Sequence, residues 1–434
     1  MEIKEGWNVI FPAFLFNRRF RRNFLLNKRY YEPKNIFNHQ LQGGTNMKDV
    51  VISDAVKYIG ADDKDLDLFE SQYIIPNGVS YNSYVILDEK IAVMDTIDTR
   101  KTDEWKENLE RVLDGRTPDY LVVSHLEPDH AGSIKEFADK YPEAKIVASA
   151  KAIAMLPQFF EIADLTDRAV AVKEGEELSL GSHTLQFFMA PMVHWPEVMV
   201  EYEKSEKILF SADGFGKFGA LDADEDWACE ARRYYFNIVG KYGAQVQALL
   251  KKAATLDIQT ICPLHGPILK EDLGYYIGKY MTWSSYEPED DGVLVAYASI
   301  HGNTKKAAEK MKEILEDKGA KKVAITDLSR DDMAEAIEDA FRYDKLVLAA
   351  ASYDASVFPC METFLNKLTN KNYQNRKIAI IENGSWAPTA ARVMKSYVEK
   401  MKKITLCEKT VTIKSTMKDA DVTAMKELAD ELLA

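Results

Sequence analysis

Apolar and polar positions along the chain follow two regimes that meet near residue 288. From there onward, apolar runs at 293–298, 322–326, 345–350, 377–381 and 406–413 predict strands. A helical pattern follows each of them. After the first, Ala307, Ala308, Met311, Ile314 and Leu315 recur at helical spacing, which predicts one buried face and an outer face of Lys and Glu. Five strand–helix units in succession predict a doubly wound parallel sheet with helices on both faces and ligands at the carboxyl ends of the strands. The earlier part mixes shorter strand patterns, at 81–87, 90–94, 120–123, 183–189, 208–210 and 258–261, with helical ones such as 102–113. That mixture predicts an α/β sandwich. Between the two, YEPEDDGV at 286–293 is a hydrophilic break with Pro288 and Gly292, giving expected domains of 47–288 and 289–434.

Length agrees with this division, because a chain of 434 residues exceeds what a single core of about 250–300 residues usually serves. No run approaches the ~20 apolar residues of a membrane-spanning helix. The four cysteines, Cys229, Cys262, Cys360 and Cys407, form no CxxC pair, so neither a disulfide scaffold nor an iron–sulfur or rubredoxin-type centre is encoded. A soluble, cytoplasmic protein is expected. The net charge is −13, yet residues 1–46 hold eight Lys and Arg against three Glu, so the remainder carries −18. Such a body excludes nucleic acid as an expected partner, since phosphate binding draws on Lys and Arg. The basic aromatic opening reads either as an amphipathic segment or as translated upstream sequence. The Gly43-Gly44 that precedes Met47 can be encoded by a ribosome-binding sequence, so Met47 is the expected start.

The loops after the later strands carry candidate chemistry. SIHGNTKK at 299–306 offers hydroxyls, a glycine and a helix start whose backbone N–H groups and dipole favour a phosphate. There is no Walker lysine and no GxGxxG, which suits the phosphate of FMN better than a triphosphate. ASYDASVFPCM at 351–361 and ENGSWAPTA at 382–390 add small residues for close backbone approach and two aromatics, Tyr353 and Trp386, to flank a flavin ring. Taken together, residues 293–434 resemble a flavodoxin domain. The resemblance implies phosphate contacts at Ser299, His301, Gly302, Asn303 and Thr304, and ring contacts around Ser352, Tyr353, Asp354, Asn383, Gly384, Ser385, Trp386 and Ala387. His301 departs from the residue type found in many flavodoxins.

A second constellation lies in the first part. SHLEPDH, residues 124–130, sets His125, Glu127, Asp129 and His130 on an expected loop stiffened by Pro128. His194 in MVHWPEVM, Asp213 in LFSADGFG and His265 in ICPLHGPIL follow further strand patterns. The order His-x-Glu-x-Asp-His, His, Asp, His resembles the metallo-β-lactamase superfamily, with Glu127 where the zinc hydrolases usually have a histidine. That resemblance implies His125, Glu127 and His194 on one metal, Asp129, His130 and His265 on the other, and Asp213 bridging. The extra carboxylate suits iron in both its oxidation states, whereas zinc has no redox chemistry.

The two parts together resemble the flavodiiron proteins over residues 47–434. This implies a lactamase-like αββα domain followed by a five-stranded flavodoxin-like domain, with FMN and a non-haem di-iron pair as cofactors. It implies reduction of O2 to water, of NO to N2O, or both, with Glu127, Asp213 and His194 foremost in catalysis. It also implies a head-to-tail homodimer and a separate rubredoxin-type donor served by an NAD(P)H-dependent reductase. Trp195 and Tyr202 are either pocket-lining or core aromatics, while His39 and His183 have no counterpart among the ligands. Two other readings remain open: a zinc-dependent hydrolase, and a flavin electron carrier whose metals are structural.

Overall fold

The structure of the chain is a computed structural model that describes residues 50–434. The expectations for residues 1–46, Met47 as the start and His39 lie outside the described residues.

The first part is a two-sheet sandwich flanked by helices. One sheet has the order Val56–Tyr58, Tyr84–Ile86, Ala92–Met94, Tyr120–Val123, Lys145–Ser149, Ala169–Val172. The other runs Glu177–Ser179, Thr184–Met189, Met199–Glu203, Ile208–Phe210, Thr260–Cys262. Period-two alternation decides which layer each side chain enters. In Tyr120–Val123, Val122 points between the sheets with Ile86, Met94, Val147, Phe187 and Phe210. Leu121 and Val123 point outward and are covered by Trp105, Leu109 and Phe137. The helix Thr102–Leu113, which supplies Trp105 and Leu109, has the predicted bounds and ends at Asp114 in the left-handed region.

Two local expectations are corrected. The continuous strand at 81–87 is two strands, Val79–Tyr81 and Tyr84–Ile86. Asn82 breaks it by donating its amide to the carbonyls of Pro263 and Gly266, each at 2.8 Å, so Val79–Tyr81 pairs instead with Ala61–Asp63. The loop expected at 125–130 contains a helical turn, Pro128–Ala131, with Pro at its first position where no N–H is needed.

Beyond the helix Leu273–Ser284 lies the parallel sheet. Its strand order is Val323–Asp327, Asp290–Ala298, Tyr343–Tyr353, Gln374–Asn383, Lys402–Ile413, all parallel, with Ser356–Val357 folding back on the third in sequence. This is the 2-1-3-4-5 order of doubly wound sheets, whose crevice opens beside the first strand. One face is covered by the helix Asn303–Asp317 and the C-terminal helix Asp419–Leu433. The other face, with Leu294, Leu346 and Ile380, shares one continuous core with Val200, Tyr235, Phe236 and Trp283 of the first part. Phe236 stacks on Phe341 at a centroid distance of 4.1 Å. Among the described residues no helix is long and apolar enough to cross a membrane.

Candidate metal centre and strand-end pocket

The seven candidate ligands converge from distant points of the sequence. His125 follows Tyr120–Val123 at once, and Asp129 and His130 ride on the helical turn after it. His194 comes from the connection between Thr184–Met189 and Met199–Glu203, while Asp213 and His265 lie just past Ile208–Phe210 and Thr260–Cys262. They form two groups, His125 with Glu127, His194 and Asp213, and Asp129 with His130 and His265, each with its ligand atoms within 4.8 Å of one another.

The carboxylate of Asp213 joins the groups. Its Oδ2 lies 3.2 Å from His194 Nε2 and 3.5 Å from His125 Nε2, and its Oδ1 lies 3.3 Å from His130 Nε2 and 3.8 Å from His265 Nε2. Glu127 Oε2 stands 2.9 Å from His194 Nε2 and 3.3 Å from His125 Nε2, and Asp129 Oδ2 stands 3.2 Å from both His130 and His265. Burial would lower the pKa of His125 and His194, but the surrounding carboxylates outweigh it and raise the two to about 9 and about 10.

These donors fit metal ions better than they fit each other. Both oxygens of Asp129 and of Asp213 are buried without a hydrogen bond of good geometry. His265 directs Nδ1 to the carbonyl of Ser80 at 2.8 Å, which makes Nδ1 the proton-bearing nitrogen and leaves Nε2 a lone pair. That lone pair faces His130 Nε2 at 3.1 Å. Lone pairs and anionic oxygens crowded in a buried site, costly alone, are the arrangement that cations stabilise.

Several supporting residues escaped the sequence reading. Glu197 Oε1 accepts from Leu126 N at 3.0 Å and stands 2.9 Å from His125 Nδ1, fixing the ring through its outer nitrogen. Its place in HWPE, three residues after His194, was the available signal. Ser124 bonds Asp95 and Glu201, two buried carboxyls held above their usual range, first by burial. Glu70, from the hairpin of Leu68–Phe69 and Tyr73–Ile74, sits against Glu127, and no local pattern announces it. Trp195 lies edge-on to His125 at 5.2 Å and lines the mouth of the site. Tyr202 does not, because its hydroxyl is spent on the carbonyl of Asp257 at 2.8 Å, a structural role. His183 is also structural, held by Asp88 at 2.8 Å and Glu206 at 3.3 Å.

The loops of the parallel sheet enclose a pocket of about 520 Å³. Ser299, His301, Asn303, Thr304, Ser352, Tyr353, Asp354, Asn383, Gly384, Ser385, Trp386 and Ala387 line it, without any Lys or Arg. Gly302 stands just outside the lining, at φ 85°, where it turns the chain into Asn303–Asp317 and donates to Ser299 Oγ at 3.1 Å. The first turn of that helix carries no acid, leaving its N–H groups open to an anion. Tyr353 and Trp386 are 45% and 92% exposed, an aromatic pair available to cover a flat ring. Ser415, after the fifth strand, completes the wall through Ser385 Oγ at 2.6 Å and was not anticipated.

Comparison with known proteins follows this division. Residues 79–266 match the family described as ODP family beta lactamase, and residues 294–412 match a flavodoxin domain. An uncharacterised protein of Methanocaldococcus jannaschii is 32% identical over 289 residues, 64% of this chain and 72% of that protein. A nitric oxide reductase of Moorella thermoacetica is 26% identical over 395 residues, 89% of this chain and 98% of that one. Among solved structures, the rubredoxin oxygen:oxidoreductase of Desulfovibrio gigas superposes with a TM-score of 0.83 at 26% identity, covering 88% of this chain and 97% of that one. A flavo di-iron protein of Thermotoga maritima gives 0.80 at 25% identity, with 88% and 97% covered. The likeness runs through both halves in one order, and the chain belongs to the flavodiiron protein family.

Proposed function

We propose that the chain is an oxidoreductase that reduces O2 to water, NO to N2O, or both, at a di-iron centre fed through FMN. The observation that carries this reading is the Asp213 carboxylate, with one oxygen turned to each ligand group, together with Glu127 as an additional anionic donor. His125, Glu127 and His194 would hold one iron and Asp129, His130 and His265 the other, with Asp213 turning one oxygen to each group. An iron pair held there would supply coordination positions for the gas, and FMN in the strand-end pocket would supply the electrons.

The protein's own part is positional. Glu197 and the Ser80 carbonyl fix the imidazoles of His125 and His265 with Nε2 inward, so that the donors need no rearrangement. Trp195 narrows the approach, favouring a small ligand. In the second domain, Ser299, His301, Gly302, Asn303 and Thr304 take the FMN phosphate, while Ser352–Asp354 and 383–387 take the ring. We assign these roles to domains 47–288 and 289–434.

The assembly expected with this reading is a head-to-tail dimer in which the pocket of one copy faces the metals of another. The donor is a rubredoxin-type carrier reduced by an NAD(P)H-dependent enzyme. Metal analysis and anaerobic stopped-flow mixing of the reduced protein with O2 and with NO test the reading. Iron near two per chain and rapid reoxidation, slowed by Glu127→Ala, are expected. Zinc with no reoxidation would favour a hydrolase, and reoxidation at the rate of free flavin, indifferent to Glu127, would favour an electron carrier.

A further inference from the structure

The mouth of the metal centre is a cavity of about 420 Å³ lined by Gln72, Tyr73, His194, Trp195, Lys241, Tyr242, Lys367 and Lys371, among others. Its cations are unexpected in a chain of net charge −13. None of the three lysines forms an ion pair with a carboxylate among the described residues. Lys371 belongs to the second domain, at the end of the helix Pro359–Asn370, yet reaches across to donate to the carbonyl of Asn237 at 2.5 Å. Its half-buried ammonium has no carboxylate in ion-pair contact, and Glu70 is the acidic group that faces it, so burial of its charge is only partly offset.

Both proposed reactions consume protons at the metals. Reducing one O2 to two H2O takes four electrons and four protons, and reducing two NO to N2O and H2O takes two of each. The electrons come from reduced flavin and the protons from solvent. Two of the four imidazoles are poor conduits, because the outer nitrogens of His125 and His265 are engaged by Glu197 and Ser80. In the head-to-tail dimer proposed above this mouth faces the partner's strand-end pocket, so the cavity is the space between the two sites, with room for several waters at about 30 Å³ each and polar groups to hold them.

We propose, resting on the functional reading above, that Lys371 is the proton-relay residue of the metal centre. Its ammonium passes a proton into the water of the cavity toward the reduced gas and is recharged from solvent. The groups facing it are Lys367 on its own helix, Glu70 on the 68–74 hairpin, Tyr73, the Asn237 carbonyl, and Lys241 and Tyr242. Burial and then the charge of Lys367 bring its amine down to about 8, against the opposing pull of Glu70. Such an amine is mostly charged at neutral pH and still able to release its proton.

Turnover of the FMN- and iron-loaded protein with O2 and with NO, measured across pH 6–10, tests this through two variants. Lys371→Met is expected to lower kcat by about 100-fold, to remove the alkaline limb of the pH profile, and to be partly rescued by methylamine. Lys371→Arg keeps the charge but holds its proton too tightly to donate it, and is expected to be similarly slow. Either variant at wild-type kcat with an unchanged profile would overturn the proposal. A fully active arginine variant would show that charge alone is required. Iron content, FMN content and oligomeric size confirm that the variants fold. A wild-type protein inactive toward both gases would overturn the functional reading itself, and the relay with it.

Discussion

At the scale of single residues, the centre depends as much on what holds the ligands as on the ligands. Glu197 accepts from the Leu126 backbone and faces His125 Nδ1 with the same oxygen, tying ring orientation to the backbone beside it. Glu197→Gln keeps the shape but weakens the hold on His125. Metal affinity is expected to fall by about 10- to 100-fold, as measured by competition with a chelator, while the fold by circular dichroism is unchanged. Glu127 differs from Glu197 in facing the inner nitrogens of His125 and His194, at 3.3 and 2.9 Å. Its replacement should remove activity together with one metal, separating the two glutamates in a single metal analysis.

Among elements, what could be read from the sequence depended on whether a residue's task was local. The five parallel strands were legible because each is an apolar run bounded by turn residues, and the helix at 102–113 because its periodicity is complete. The convergence of the candidate ligands was legible because loops leaving strands concentrate such residues at one edge. Asn82 could not be read as a strand breaker, since its partners, Pro263 and Gly266, arrive from the far side of the sandwich. Glu70 and Ser415 lie on connections whose neighbours only the tertiary fold selects.

The turn between Glu177–Ser179 and Thr184–Met189 shows the same dependence, for His183 finds Asp88 in the turn between Tyr84–Ile86 and Ala92–Met94. Burial lowers the pKa of His183, but Asp88 and Glu206 outweigh it and leave it raised. A raised folded value means this stabilisation is complete below about pH 6.5 and is lost as pH rises through the folded value. His183→Gln should therefore lower the urea midpoint more at pH 5.5 than at pH 9. An equal loss at both would show that the charge contributes nothing.

At the scale of the whole molecule, the two halves are joined by charge as well as by apolar packing. Arg232, in the helix Trp227–Tyr234, is bonded to Glu338 of the helix Met333–Arg342 and to both oxygens of Glu289 at 3.1 Å. All of this is buried or nearly so. Removing one member strands the others without water. Arg232→Met is expected to cost about 3–5 kcal/mol in chemical denaturation, and adding Glu338→Leu to recover a substantial part, because a buried pair replaced whole by apolar groups loses little. A double variant no better than the single one would point to Glu289 as the dominant partner.

The core that continues from Trp283 through Phe236 and Phe341 to Leu346 has a genetic consequence. Because the halves share one apolar core, a substitution at Phe341, which is not among the candidate ligands, lowers the amount of intact metal centre through the folded fraction of the entire chain. Loss-of-function alleles in a selection for gas tolerance should therefore scatter over both domains, with those in the flavin half rescued by low growth temperature rather than by added iron.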